Sequence, residues 1–241
     1  MMGEFEGFEG IKSSLFLWGN DTLLFLIFAL LVCFAMVYNS NFLLFHRMID
    51  DILSFKGKKK GIDIGSKRWI VYKYCYYQMA AISSLLLLEG ASYIGYFQPK
   101  SYANVHIFLL IIFIFILLFE AIKRGLNTIL AWTFKLQEPF KLWRSSARNI
   151  MSIWGILLFF PAFIALLVQG GSPSAVTFFL LSYILARFLI FYKSIFIFHL
   201  KPLGYLFLCS YLCALEILPL YFMCKGTLFL YKIIETIITC H

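Results

Sequence analysis

The chain has 241 residues, 62% of them hydrophobic and 14% charged, and carries a formal charge of +9. A soluble domain is roughly a quarter charged, so this composition, with a mean hydropathy of +0.86, argues against a water-soluble core. It argues against nucleic acid as the partner too, because the cations lie between apolar runs and form no basic domain of independent size.

The N-terminal flank carries Glu4, Glu6 and Glu9 against Lys12 alone, the reverse of a cleaved signal, so the first apolar run is expected to be retained. A run of about 20 apolar residues is enough to cross the hydrocarbon of a bilayer. The first expected span covers Thr22 to Phe45, ending in the less apolar Asn39-Ser40-Asn41 region. A charged connection follows, with Lys58, Lys59 and Lys60 at its centre. Span two is expected at 74–96, closed by the turn residues Gln98-Pro99-Lys100-Ser101.

Span three covers 104–122 and acquires Glu120, Lys123 and Arg124 near its end. Beyond it Leu126, Ile129 and Leu130 recur at helical spacing, which predicts a cytoplasmic amphipathic helix over Leu126 to Leu142 that lies against membrane or a partner. Pro139 is expected to end or kink that helix. Span four covers 150–168, with Pro161 as a kink; span five covers 175–198 and span six 205–224. The expected fold is all-α, a bundle of six transmembrane helices forming a single domain over 1–241.

Basic residues crowd the connections after spans one, three and five, and the opposite side holds only Lys12, Lys100, Lys225 and Lys232. Lys and Arg concentrate in cytoplasmic loops, so both termini are expected outside the cytoplasm. Trp18 on the outer side, and Trp69, Trp132 and Trp143 on the inner side, fall where interfacial aromatic belts belong.

Three ionisable residues fall well inside spans: Glu89, Arg187 and Glu216. Each costs about 2.5–3.5 kcal/mol at a helix centre, so each needs a partner or a wet cavity. Spans five and six are joined by a short turn, and an Arg187–Glu216 pair is expected between them. Such a pair either orients two helices or belongs to an ion path. Lys58, Lys59 and Lys60 set topology and are candidates for anionic headgroup contacts, as are Lys123, Arg124 and Lys135. The six cysteines read as small apolar side chains, because Cys209 and Cys213 lack redox or zinc spacing. No catalytic, cofactor or metal constellation stands out, and the histidines at 46, 106, 199 and 241 fall at span ends or outside.

The segment Leu215-Glu216-Ile217-Leu218-Pro219, with Arg187, Tyr192-Lys193 and the spaced Asn149, Gly155 and Phe160-Pro161, resembles a family of bacterial polytopic inner-membrane proteins defined by a domain of unknown function. The resemblance covers the C-terminal half to two-thirds of the chain and leaves Met1 to about Ser66 unmatched. It implies a multi-pass protein of the bacterial inner membrane, with no reaction or catalytic residue to carry over. The expected function is that of a non-enzymatic membrane subunit or assembly factor of the cell envelope. It would act by contact with the bilayer and with a membrane-protein partner or a second copy of itself. The alternative is a small transporter or channel using Glu89, Arg187 and Glu216; a cavity reaching those residues would favour it.

Overall fold

Asn41 shapes the entry to the bundle. Its side-chain amide donates to the Val37 carbonyl at 3.1 Å and its backbone N–H to Tyr38. Asparagine offers the backbone such local alternatives to a continuing helix. The expected first span is therefore split into α1 (Asp21–Ser40) and α2 (Phe42–Leu53). The computed structural model describes residues 21–53, 66–93, 102–168 and 172–198; the expected sixth span, Lys58 to Lys60 and Glu216 lie outside these. Within the described residues the chain is all-helical, continuing with α3 (Ser66–Tyr93), α4 (Tyr102–Thr133), α5 (Gln137–Leu157), α6 (Phe159–Leu167) and α7 (Ser172–Phe198).

Among the described residues four stretches are long and apolar enough to cross a membrane: Asp21–Ser40, Val105–Thr133, Gln137–Leu167 and Pro173–Phe198. α3, where the second span was expected, is less apolar, and its position explains why. It packs against α4, α5, α6 and α7 and is buried continuously from Ile82 to Leu86. From Gln78 onward α3 is largely covered by protein, so it accommodates the buried Gln78, Ser83, Ser84 and Glu89 that lipid would penalise. The close approach of α5 depends on Gly155, whose added Cβ would meet the Met79 Cβ at 3.0 Å. Gln78 seals that crossing by donating to the Gly155 carbonyl at 3.3 Å.

The outer helices carry their apolar residues outward. On α4 the exposed positions Ile107, Leu110, Ile114, Leu118, Ile122 and Ile129 recur at intervals of three, four and seven. Residues at such spacing share one face of a helix, and a continuous apolar exterior of this kind belongs in lipid.

Two prolines punctuate the bundle. Pro161 lacks the N–H that would bond to Leu157, and the helix breaks at Leu158 between α5 and α6, as the sequence suggests. Pro139 acts differently from expectation. It sits in the first turn of α5, where a missing N–H costs nothing. The expected helix over Leu126 to Leu142 is instead broken at Phe134 to Leu136, before the proline, where Lys135 takes a left-handed φ of 52°. Leu136 N–H bonds to the Ala131 carbonyl and Lys135 N–H to Trp132, the two reversed bonds of a Schellman cap.

Candidate functional site

At the end of the bundle where α4 turns into α5, the helices part around a cavity of about 260 Å³. Short helical repeats bring its lining together. α3 supplies Trp69, Tyr72, Lys73 and Tyr76; α4 supplies Glu120, Lys123, Arg124 and Asn127. α5 adds Phe140, Trp143, Arg144 and Arg148, and α7 adds Arg187. Spacings of three and four place each set on one face of its helix. Among the described residues the lining is rich in cations: Lys73, Lys123, Arg124, Arg144, Arg148 and Arg187, with Glu120 as the one carboxylate.

Arg187 meets Glu120 at 3.4 Å, with side-chain exposures of only 15% and 14%. The expected Glu216 partner lies outside the described residues, so the pair seen is with α4. Rings hold four of the cations. Lys73 lies 3.7 Å from the Trp69 centroid, Arg124 4.0 Å from Tyr76, Arg148 5.0 Å from Tyr72, and Arg187 4.9 Å from Tyr183. A ring face within about 6 Å attracts a cation, and it fixes the cation's position without neutralising its charge.

Depth divides the polar groups. Lys123 and Asn127 are 7% and 6% exposed, and the Asn127 side-chain oxygen accepts no hydrogen bond among the described residues. Lys73, Arg124, Arg144 and Arg148 are exposed at the mouth. The wall between is apolar, formed by Met79, Met151, Phe140, Trp143 and Ile190. Behind it a hydrogen-bonded chain ties the pocket to α2. The Tyr72 hydroxyl donates to Asn149 Oδ1 at 2.6 Å, and Asn149 Nδ2 donates to Asp51 Oδ2 at 2.7 Å. Ser146 also donates to that carboxylate at 3.2 Å, while Lys193 Nζ reaches the Asp51 carbonyl at 2.7 Å.

The residues singled out from sequence fall in different places. Arg187 is in the pocket. Glu89 is buried on α3, about 20 Å along the helix from Tyr76 at roughly 1.5 Å per residue. Lys123, expected among outward cations, is turned into the bundle because the outer face of α4 is reserved for apolar residues. Trp143, expected in the interfacial belt, is 5% exposed and lines the cavity, whereas Trp69 and Trp132 are exposed. Glu120, Asn127, Arg144 and Arg148 escaped notice as a set. Their signal is a polar stripe at three- and four-residue spacing on the inner side of helices whose other face is apolar.

A family model described as a domain of unknown function (DUF4271) matches residues 23–227. The chain belongs to this family. The match reaches back over α1 and α2, further than the resemblance in the C-terminal part suggested, and through Asp51 α2 is bonded into α5 and α7. No curated protein and no solved structure matches the chain.

Proposed function

We propose that the protein is a non-enzymatic, multi-pass subunit or assembly factor of the bacterial cytoplasmic membrane, and that its pocket holds a phosphate-bearing anion. Six spans with both termini outside the cytoplasm place the cation-rich end of the bundle, pocket included, at the cytoplasmic face. One observation carries the anion reading: among the described residues six cations and one carboxylate line the cavity, and two of the cations, Lys123 and Arg187, are withdrawn from solvent. Cations that only set topology reach outward to headgroups and water. These two point inward instead. Basic pockets between transmembrane helices on the cytoplasmic side are suited to anionic headgroups.

The intrinsic fluorescence of Trp69 and Trp143, both in the lining, reports occupancy. Titration of the detergent-purified protein with inorganic phosphate, at constant ionic strength set with chloride, is expected to change the emission saturably. A response no different from that to chloride would end the anion reading. A second reading, transport, draws on the cavity's reach to Arg187. It predicts phosphate-dependent uptake into proteoliposomes that Arg187→Leu abolishes, whereas a binding subunit gives occupancy without uptake.

A further inference from the structure

We propose that the occupant of this cavity carries a hydroxyl group beside its phosphate, making it a polyol phosphate, and that Asn127 binds the hydroxyl. The phosphate rests on the anion reading above; the hydroxyl is called for by Asn127 alone. This side chain lines the cavity and is 6% exposed, and its oxygen accepts no hydrogen bond among the described residues. Asn149, equally buried on α5, shows the usual outcome: it accepts from the Tyr72 hydroxyl at 2.6 Å and donates to Asp51 at 2.7 Å.

The helix itself cannot supply the missing donor. Asn127 lies inside α4, where each backbone N–H is engaged by the carbonyl four residues earlier. Thr128 and Thr133 turn back to carbonyls of the same helix, at 2.9 Å each, because a hydroxyl can donate. An amide oxygen only accepts. A buried acceptor without a donor lowers stability, and asparagine is itself a poor residue for a helix interior, so the position is costly to the empty protein. Stability given up in this way is characteristic of functional sites.

An amide offers an acceptor and donors on one group. A hydroxyl matches both, since it donates and accepts. A fully ionised phosphate oxygen only accepts and an ammonium only donates, so each leaves one end unmatched. Phe140 and Trp143, stacked at 5.4 Å, and Met79 and Met151 give the neighbouring wall an apolar surface that suits the C–H edges of a short polyol. The volume of about 260 Å³ corresponds to about nine waters at roughly 30 Å³ each, which admits a group the size of glycerol phosphate. The same chemistry occurs on soluble glycerol 3-phosphate and on the headgroup of phosphatidylglycerol.

Thermal melting of the full-length protein in detergent, at constant ionic strength set with chloride, is followed against glycerol 3-phosphate, propyl phosphate and phosphoethanolamine. Propyl phosphate matches glycerol 3-phosphate in charge and lacks the hydroxyls. In phosphatidylcholine nanodiscs the dopants are phosphatidylglycerol and phosphatidylethanol, again matched in charge and differing in hydroxyls. A ligand that binds only the folded state raises the melting temperature. Glycerol 3-phosphate is expected to act at a concentration about fivefold below propyl phosphate, the contribution of one net hydrogen bond. A larger rise with phosphatidylglycerol than with phosphatidylethanol assigns the group to a lipid; the glycerol 3-phosphate preference without that rise assigns it to a soluble ester. Asn127→Leu should melt above the parent when empty and should bind glycerol 3-phosphate and propyl phosphate equally. Asn127→Ala should lose the preference too, and it covers the case in which leucine does not fit. Equal action of the two esters on the parent with no distinction between the lipids, a preference for phosphoethanolamine, or a hydroxyl preference that survives both variants overturns the proposal and leaves the anion reading intact. Esters and lipids that act no better than chloride and phosphatidylcholine overturn both.

Discussion

The first half of α4 meets the bundle through Val105, Phe108, Ile112 and Ile116, and the second half through Glu120, Lys123 and Asn127. The outer face does not change with the inner one: Ile107, Ile114, Leu118, Ile122 and Ile129 are exposed and apolar along its length. A helix that simply emerged from a membrane into water would become polar on its outside first. Here the inside becomes polar and the outside stays apolar, so the change reflects the pocket and not the surrounding solvent. The comparison also explains how Arg187 and Glu120 can lie on spanning helices: they face each other across the interior, at the level where packing gives way to the cavity.

The largest expected effect comes from placing a charge on the unchanging face. Leu118→Asp introduces a carboxylate two residues from Glu120, on the opposite side of the helix. An aspartate at the centre of a spanning helix costs about 2.5–3.5 kcal/mol, so most of the folded, membrane-integrated protein should be lost. Fluorescence-detected size exclusion of membrane extracts measures that fraction. If Leu118→Asp stays within about 0.5 kcal/mol of the parent, as an ordinary surface substitution does, the outer face of α4 is not in lipid and the contrast collapses.

The inner face gives a somewhat smaller effect. Arg187→Leu leaves Glu120 without the guanidinium 3.4 Å away. Loss of one partner from a fully buried pair costs about 3–5 kcal/mol; the residual exposure here reduces this to about 2–3 kcal/mol. Arg187→Leu combined with Glu120→Leu should recover part of the loss. Thermal melting of the single and double variants gives the coupling, and simple additivity would show that the two charges do not act as a pair.

How much of this was legible in the sequence follows from which neighbours matter. The apolar runs and Pro161 act on their own helix, so their positions were readable from local pattern. Arg187 was identified as needing a partner or cavity, because a charge inside an apolar run is visible without neighbours. Its contact with Glu120 was not legible, since it joins helices 67 residues apart in sequence and Glu120 sits beside Lys123 and Arg124, where it resembles ordinary flanking charge. Asp51 and Asn149, separated by 98 residues, were hidden for the same reason. The break at Lys135 was missed because the cap is made by backbone bonds, and lysine is an unusual residue for a left-handed position.

That cap closes the polar half of α4 and gives the smallest expected change. Lys135 holds φ 52°, a region in which a side chain costs roughly 1–2 kcal/mol through the clash of Cβ with the following carbonyl. Glycine removes the clash but loses more freedom on folding, by roughly 0.5–1 kcal/mol. Through the backbone alone Lys135→Gly should stabilise by about 0.5–1 kcal/mol, so with the charge counted the net rise in melting temperature should be small. The charge works in the other direction, because a cation just past a helix C-terminus interacts favourably with the helix dipole, by about 0.3–1 kcal/mol. Lys135→Ala separates the two contributions: it keeps the Cβ and loses the charge, and should melt at or slightly below the parent. If alanine stabilised as much as glycine, crowding of positive charge near the pocket would be the source of the strain, and the polar half of α4 would be under electrostatic stress even at its cap.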